Sequence, residues 1–102
     1  MKTHLKLTPE WVLGKLPRTH YADGDGNISV YTANATDANW IELALDSLNI
    51  TYNAYDYVDD NDDFVFGFDF RIEDIKDECP NFYKDMKALD TNNMIHKNLL
   101  KN

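Results

Sequence analysis

The chain of 102 residues has one cysteine, Cys79, so no internal disulfide framework supports it. No run of about 18 apolar residues occurs, which removes a membrane span from consideration. Met1-Lys2-Thr3-His4-Leu5-Lys6 lacks the continuous apolar stretch of a signal peptide. A reduced, cytoplasmic compartment is the expectation that follows. Positive charge is scarce: 10 Lys and Arg face 18 Asp and Glu, a formal charge of −8. Sequence signatures of catalysis are also missing. His4, His20 and His96 are far apart, with no metal-ligand spacing among them. Cys79 follows the acidic Asp77-Glu78 on an apolar helical stripe, where a thiolate is disfavoured. No nucleophile–base constellation can be assembled, so no enzyme is expected, and no cofactor is implied.

What is present is enough for one globular domain. Hydrophobic residues make up 43% and aromatics 13%, and a chain of this length buries roughly 60–70% of its unfolded surface. The excess acid is concentrated. Residues 54–90 carry twelve acids against Arg71, Lys76, Lys84 and Lys87. Such a field repels phosphate backbones and attracts basic surfaces, so direct nucleic-acid binding is excluded in favour of a basic protein partner.

Alternation over His4–Leu7 suggests a short strand, and Thr8-Pro9-Glu10 carries the cap, first-turn proline and acid of a helix start that ends before Pro17. Residues 18–27 read as a loop and Ile28–Thr32 as a strand. Ile41, Ala44, Leu45 and Leu48 mark a helix, capped by Thr36 or Asp37 and ended by Asn49. A hairpin follows: Ile50–Val58, an acidic tip at Asp59–Asp63, and Phe64–Arg71, with Phe64, Phe66, Phe68 and Phe70 on one face. Pairing Val58 with Phe64 sets Ala54 opposite Phe68, Tyr52 opposite Phe70, and the misfit Asp56 opposite Phe66. Ile72, Ile75 and Cys79 suggest a short helix, and a second starts at Pro80 or Asn81.

These elements predict a single α+β domain over 1–102: an N-terminal strand, short helix and loop (1–27), a core (28–90) and a tail (91–102) that docks or stays mobile. The expected architecture is a ferredoxin-like split βαβ, with the hairpin strand antiparallel between two parallel strands and helices on one face. The N-terminal strand is then left for the remaining sheet edge. Tyr55 and Tyr57 look outward from the other face.

Two stretches carry partial likenesses. Asp23-Gly24-Asp25-Gly26-Asn27-Ile28 resembles the middle of a calcium-binding EF-hand loop, but Tyr21 and Thr32 stand where that loop has its first and twelfth ligands. Asp23, Asp25 and Asn27 are therefore weak metal candidates against ordinary turn chemistry. Phe64-Val65-Phe66-Gly67-Phe68 is similar only superficially to the aromatic motif of RNA-recognition domains, without its basic lead residue.

The sequence thus points to a non-enzymatic acidic interaction module. Its expected contact residues are Tyr55, Asp56, Tyr57, Asp59, Asp60, Asp62, Asp63, Glu73, Asp74 and Asp77, with the carboxylates gathered on one side. One form is an inhibitor that blocks a basic, nucleic-acid-binding groove by imitating phosphate charge, as phage or mobile-element counter-defence proteins do. A small ligand- or calcium-sensing module and a homo-oligomeric structural domain are the alternatives.

Overall fold

The computed structural model describes residues 8–100, with side chains as far as Ile95. The strand expected at His4–Leu7 lies outside the described residues. Helix α1 (Pro9–Lys15) begins as its sequence dictates: the Thr8 hydroxyl accepts from the Trp11 amide at 3.2 Å, and Pro9 occupies a position with no amide to satisfy. It ends at Lys15 with Leu16 as its C-cap, immediately before Pro17, which cannot continue a helix.

The segment expected as a loop is half a hairpin. Strand β1 (Thr19–Ala22) pairs antiparallel with β2 (Asn27–Thr32), from Thr19 opposite Tyr31 to Ala22 opposite Ile28. The turn between them needs two left-handed residues, and Gly24 (φ 86°) and Gly26 (φ 87°) supply them without a Cβ penalty. Asp-Gly followed by an alternating strand is a hairpin signal; the four residues of β1 are too short to announce themselves by alternation alone.

Helix α2 (Ala35–Ser47) starts earlier than expected. Its cap is Asn34, whose Oδ1 accepts from the Asp37 amide at 2.9 Å, so Thr36 and Asp37 are already inside the first turn. Ile41, Ala44 and Leu45 are buried, and Asn49 terminates the element at φ 60°. Strands β3 (Tyr52–Val58) and β4 (Phe64–Arg71) pair in the expected register: Val58 with Phe64, Asp56 with Phe66, Ala54 with Phe68 and Tyr52 with Phe70. A 3-10 turn (Ile72–Ile75) stands where a short helix was expected, and α3 (Pro80–Leu100) starts at Pro80 and takes in residues 91–100 of the expected tail.

The result is a small compact α+β domain with a four-stranded antiparallel sheet, ordered β1-β2-β4-β3, and three helices. Strand β4 is central and antiparallel to both β2 and β3. The ferredoxin-like order is not confirmed. The chain stays helical from Pro80 to Leu100, so no described strand follows α3, and the place beside β2 belongs to its own hairpin partner β1.

All three helices pack on one side of the sheet. Leu13 from α1, Ile41 and Leu45 from α2, and Phe82 and Met86 from α3 meet Ile28, Val30, Phe68 and Phe70, all buried. At about 25 cal/mol per Å² of apolar surface removed from water, each such side chain contributes roughly 1.5–3 kcal/mol. Glu10 couples α1 to α3: its Oε2 accepts from the amides of Asn81 (2.6 Å) and Phe82 (2.8 Å), capping the α3 N-terminus with a negative charge.

Candidate protein-interaction surface

Strand alternation puts the other set of side chains on the opposite face, which no described helix covers. Across the four strands, Thr19, Tyr31, Gly67 and Tyr55 form one row; Tyr21, Ser29, Asp69 and Asn53 form the next. Tyr55 and Tyr57 thus face outward as expected, joined by Tyr21 and Tyr31. The rings of Tyr31, Tyr55 and Tyr57 are mutually 6.3–6.4 Å apart, two pairs edge-on and one stacked.

Gly67 makes this grouping possible. The Tyr55 ring lies directly over it, where a Cβ would come within 2.5 Å of the ring. Crossing Gly67 brings the Tyr55 hydroxyl 2.9 Å from Asp69 Oδ1, to which it donates, and 3.3 Å from the Tyr31 hydroxyl. Removal from water and then these two hydrogen bonds push the Tyr55 phenol well above its ordinary range. Beside the row is a cleft of about 470 Å³ lined by Tyr21, Ser29, Asn53, Asp69 and Arg71, among others. A shallower one of about 380 Å³ lies between Arg18, Tyr21, Tyr31 and Tyr57.

The carboxylates do not form the single group expected of them. Asp59, Asp60, Asp62 and Asp63 are at the hairpin tip, whereas Glu73, Asp74 and Asp77 follow the far end of β4. Eight residues of strand separate the two sets, about 25 Å at the usual rise. The far set is mixed with cations, since Glu73 pairs with Lys87 at 3.6 Å and accepts from the Tyr83 hydroxyl at 3.2 Å. At the tip, Asp59 closes the turn by accepting from the amides of Asn61 and Asp63, both at 2.9 Å, and lies 3.9 Å from Arg18. Asp56 points to the helix side of β3 but remains exposed, so the misfit carboxylate stays in water at the sheet edge.

Other acids line the helix side of β3. Beside β3 runs α2, and Asn39 and Glu42 line a cleft of about 230 Å³ with Ala54, Asp56 and Phe66. Asp46 accepts from the Tyr52 hydroxyl at 2.6 Å; this bond, followed by burial and the charges of Asp46 and Glu42, pushes the Tyr52 phenol up to about 12. The sequence carried a sign of this flank that its segmental charge balance hid. Between His20 and Arg71 there is no Lys, Arg or His. That cation-free stretch builds all of β2, α2, β3, the tip and β4 except its last residue. The anionic side therefore belongs to α2, β3 and the tip rather than to the tip and the following helices.

The loop from Asp23 to Asn27 turns its polar groups inward. The buried Asp90 of α3 accepts from the Gly24 amide at 2.8 Å and the Gly26 amide at 3.1 Å. Asp23 accepts from the amides of Asp25 and Asn27 and from Asn27 Nδ2. Arg71 Nη1 donates to the Asp25 carbonyl (3.0 Å) and Asn27 Oδ1 (2.8 Å), and Asn93 Nδ2 donates to the Ala22 carbonyl. The loop's glycine amides thus hold a carboxylate, the charge opposite to that of a cation. Among the described residues no three His, Cys, Asp or Glu side chains are grouped to hold a metal ion. Cys79 is buried, which together with the charges of Glu10 and Glu78 pushes its thiol up to about 11. Among the described residues no helix is long and apolar enough to cross a membrane.

Compared with family models, curated proteins and solved structures, the chain finds no match.

Proposed function

We propose that this protein is an acidic protein-interaction module that binds a basic partner protein through the tyrosine face of its sheet and the anionic flank beside it. The observation that carries the reading is the cation-free stretch between His20 and Arg71, folded so that one side of its sheet is an open face with four tyrosines and its acids line the helix side of β3 and the hairpin tip. Tyrosine suits such a surface because it offers a large apolar area and a hydroxyl at low conformational cost. With Arg18 and Arg71 as the cations at its margins, the net negative field speeds encounter with a basic surface and turns away acidic ones. Blocking a groove that a nucleic-acid-binding protein uses for phosphates is one form this binding takes.

The test is affinity capture at low and moderate salt, with the wild type and an Asp60→Asn/Asp62→Asn/Asp63→Asn variant as baits. Asp59 is kept because it closes the turn. A basic protein held by the wild type, and weakened both by salt and by the substitutions, is the expected result. Capture of none, or capture indifferent to the substitutions, overturns the reading.

A further inference from the structure

The sheet has two edges, and they are treated differently. At β1 the strand is four residues long, and the Ala22 carbonyl is taken by Asn93 of α3. At β3 the strand is seven residues long and, among the described residues, pairs with β4 alone. The Asp59 amide bonds the Asp63 carbonyl, which fixes the alternation down the hairpin. Tyr57, Tyr55 and Asn53 direct their backbone groups to β4; Val58, Asp56, Ala54 and Tyr52 direct theirs outward. Among the described residues nothing bonds to that outward row. Edge strands are commonly blunted by charge, proline or a bulge; β3 has no proline, its register with β4 is continuous, and its one charge is the helix-side carboxylate of Asp56.

The charge beside this edge decides its occupant. Along its helix side stand Asp46, Glu42 and Asp56, and at its end Asp59 and Asp60. A second copy pairing antiparallel about Tyr55 would set each Asp56 beside the other copy's Ala54, with acids of one sign on both flanks. Like charges so placed oppose pairing. A segment of opposite sign meets no such opposition.

We infer that the free edge of β3 receives an extended, cationic segment of a partner protein as a fifth strand. Residues paired with Ala54, Asp56 and Val58 carry their side chains to the helix side, against Asp56 and Glu42. Lysine or arginine belongs there, at every second position. The residues between them lie beside Tyr55 and Tyr57 and are apolar or aromatic. This inference rests on the basic-partner reading and names the way the partner is held.

The probe is a ten-residue peptide alternating lysine and valine, titrated into the isotope-labelled full chain and followed by amide hydrogen exchange. Slowed exchange at Ala54, Asp56 and Val58 is expected. Binding should weaken at least tenfold for Ala54→Pro, which removes one outward amide, and for the same peptide N-methylated at its lysine backbone nitrogens. The methylated peptide keeps the test sharp even if the proline variant fails to fold. Equal binding by the methylated peptide, with perturbation confined to Tyr31 and Tyr57, overturns strand addition while leaving the basic-partner reading standing. No binding at low salt overturns both. Protection of the same amides in the free chain that grows with protein concentration assigns the edge to a second copy and overturns the occupant named here.

Discussion

Gly67 determines how the Tyr55 ring lies on the tyrosine face. With no side chain there, Tyr55 lies flat across β4 and reaches both Asp69 and Tyr31. A Cβ would meet the ring and its hydroxyl at 2.5–2.8 Å. Because the clash is with the far end of a side chain, the ring swings away and the backbone stays. Gly67→Ala should cost about 1–2 kcal/mol in urea unfolding and return the Tyr55 phenol toward ordinary titration, read by tyrosine absorbance. An unchanged phenol in that variant would mean that Asp69 and Tyr31 do not hold the ring. Tyr52 offers a cleaner pH signature. Its phenol is raised from 10.0 to about 12, chiefly by the bond to Asp46. A raised phenol stabilises the fold fully below pH 10 and loses that contribution as pH climbs from 10 to 12. Tyr52→Phe removes the bond, so it should cost about 1 kcal/mol at neutral pH, discounted for the solvent exposure of the pair. The wild type and the variant should then converge in stability across that alkaline window.

Neighbouring residues of β3 point their backbone groups in opposite directions and so should respond oppositely to proline. The Asn53 amide points to β4, so Asn53→Pro deletes a ladder bond and should cost about 2 kcal/mol. The Ala54 amide points outward, so Ala54→Pro should stay within about 1 kcal/mol of wild type. Thermal unfolding of the two variants checks this, and reversal of their order would mean that the row facing outward has been misassigned. The hairpin was legible because its signal is dense: four phenylalanines at period two admit one register, and the misfit Asp56 lies at the margin in that register. Helix α2 was legible for the same reason, through Ile41, Ala44 and Leu45. Its start was not, because Asn34, Thr36 and Asp37 are all competent caps and only the tertiary path of the chain from β2 selects the first. Strand β1 escaped because four residues give too little alternation, and its turn resembled a cation loop until Asp90, 64 residues beyond Gly26, showed what the amides hold. Tyr55 and Tyr57 could be placed on a face from sequence, but their partner Tyr31 comes from two strands away, and only the register between β2 and β4 sets it opposite Gly67.

Over the whole molecule, charge is sorted rather than merely abundant. Described lysines and arginines occur in or next to α1, β1, the 3-10 turn and α3, and at the last residue of β4. The layer made by α2, β3 and the tip has acids alone. Its only described ion pair is the loose one between Asp59 and Arg18, at 3.9 Å. Exposed pairs of this kind contribute about 0–1 kcal/mol. Against it stand Asp59, Asp60, Asp62 and Asp63, crowded into one tip, and Glu42, Asp46 and Asp56 along the flank. Each pair of like charges at 6–8 Å in water repels by about 0.5 kcal/mol. Folding adds to the tip's own repulsion by bringing Glu42, Asp46 and Asp56 together from separate segments, so the balance falls on repulsion. Salt should therefore stabilise the protein. Between 0.01 M and 1 M NaCl the Debye length shrinks from about 30 Å to about 3 Å, and the free energy of unfolding should rise by about 1–2 kcal/mol. In Asp60→Asn/Asp62→Asn/Asp63→Asn the rise should be less than half as large, because most of the close repulsions have gone. A wild type that loses stability with salt would mean that its ion pairs outweigh its repulsions. The anionic flank would then have no unspent field with which to draw in a basic chain.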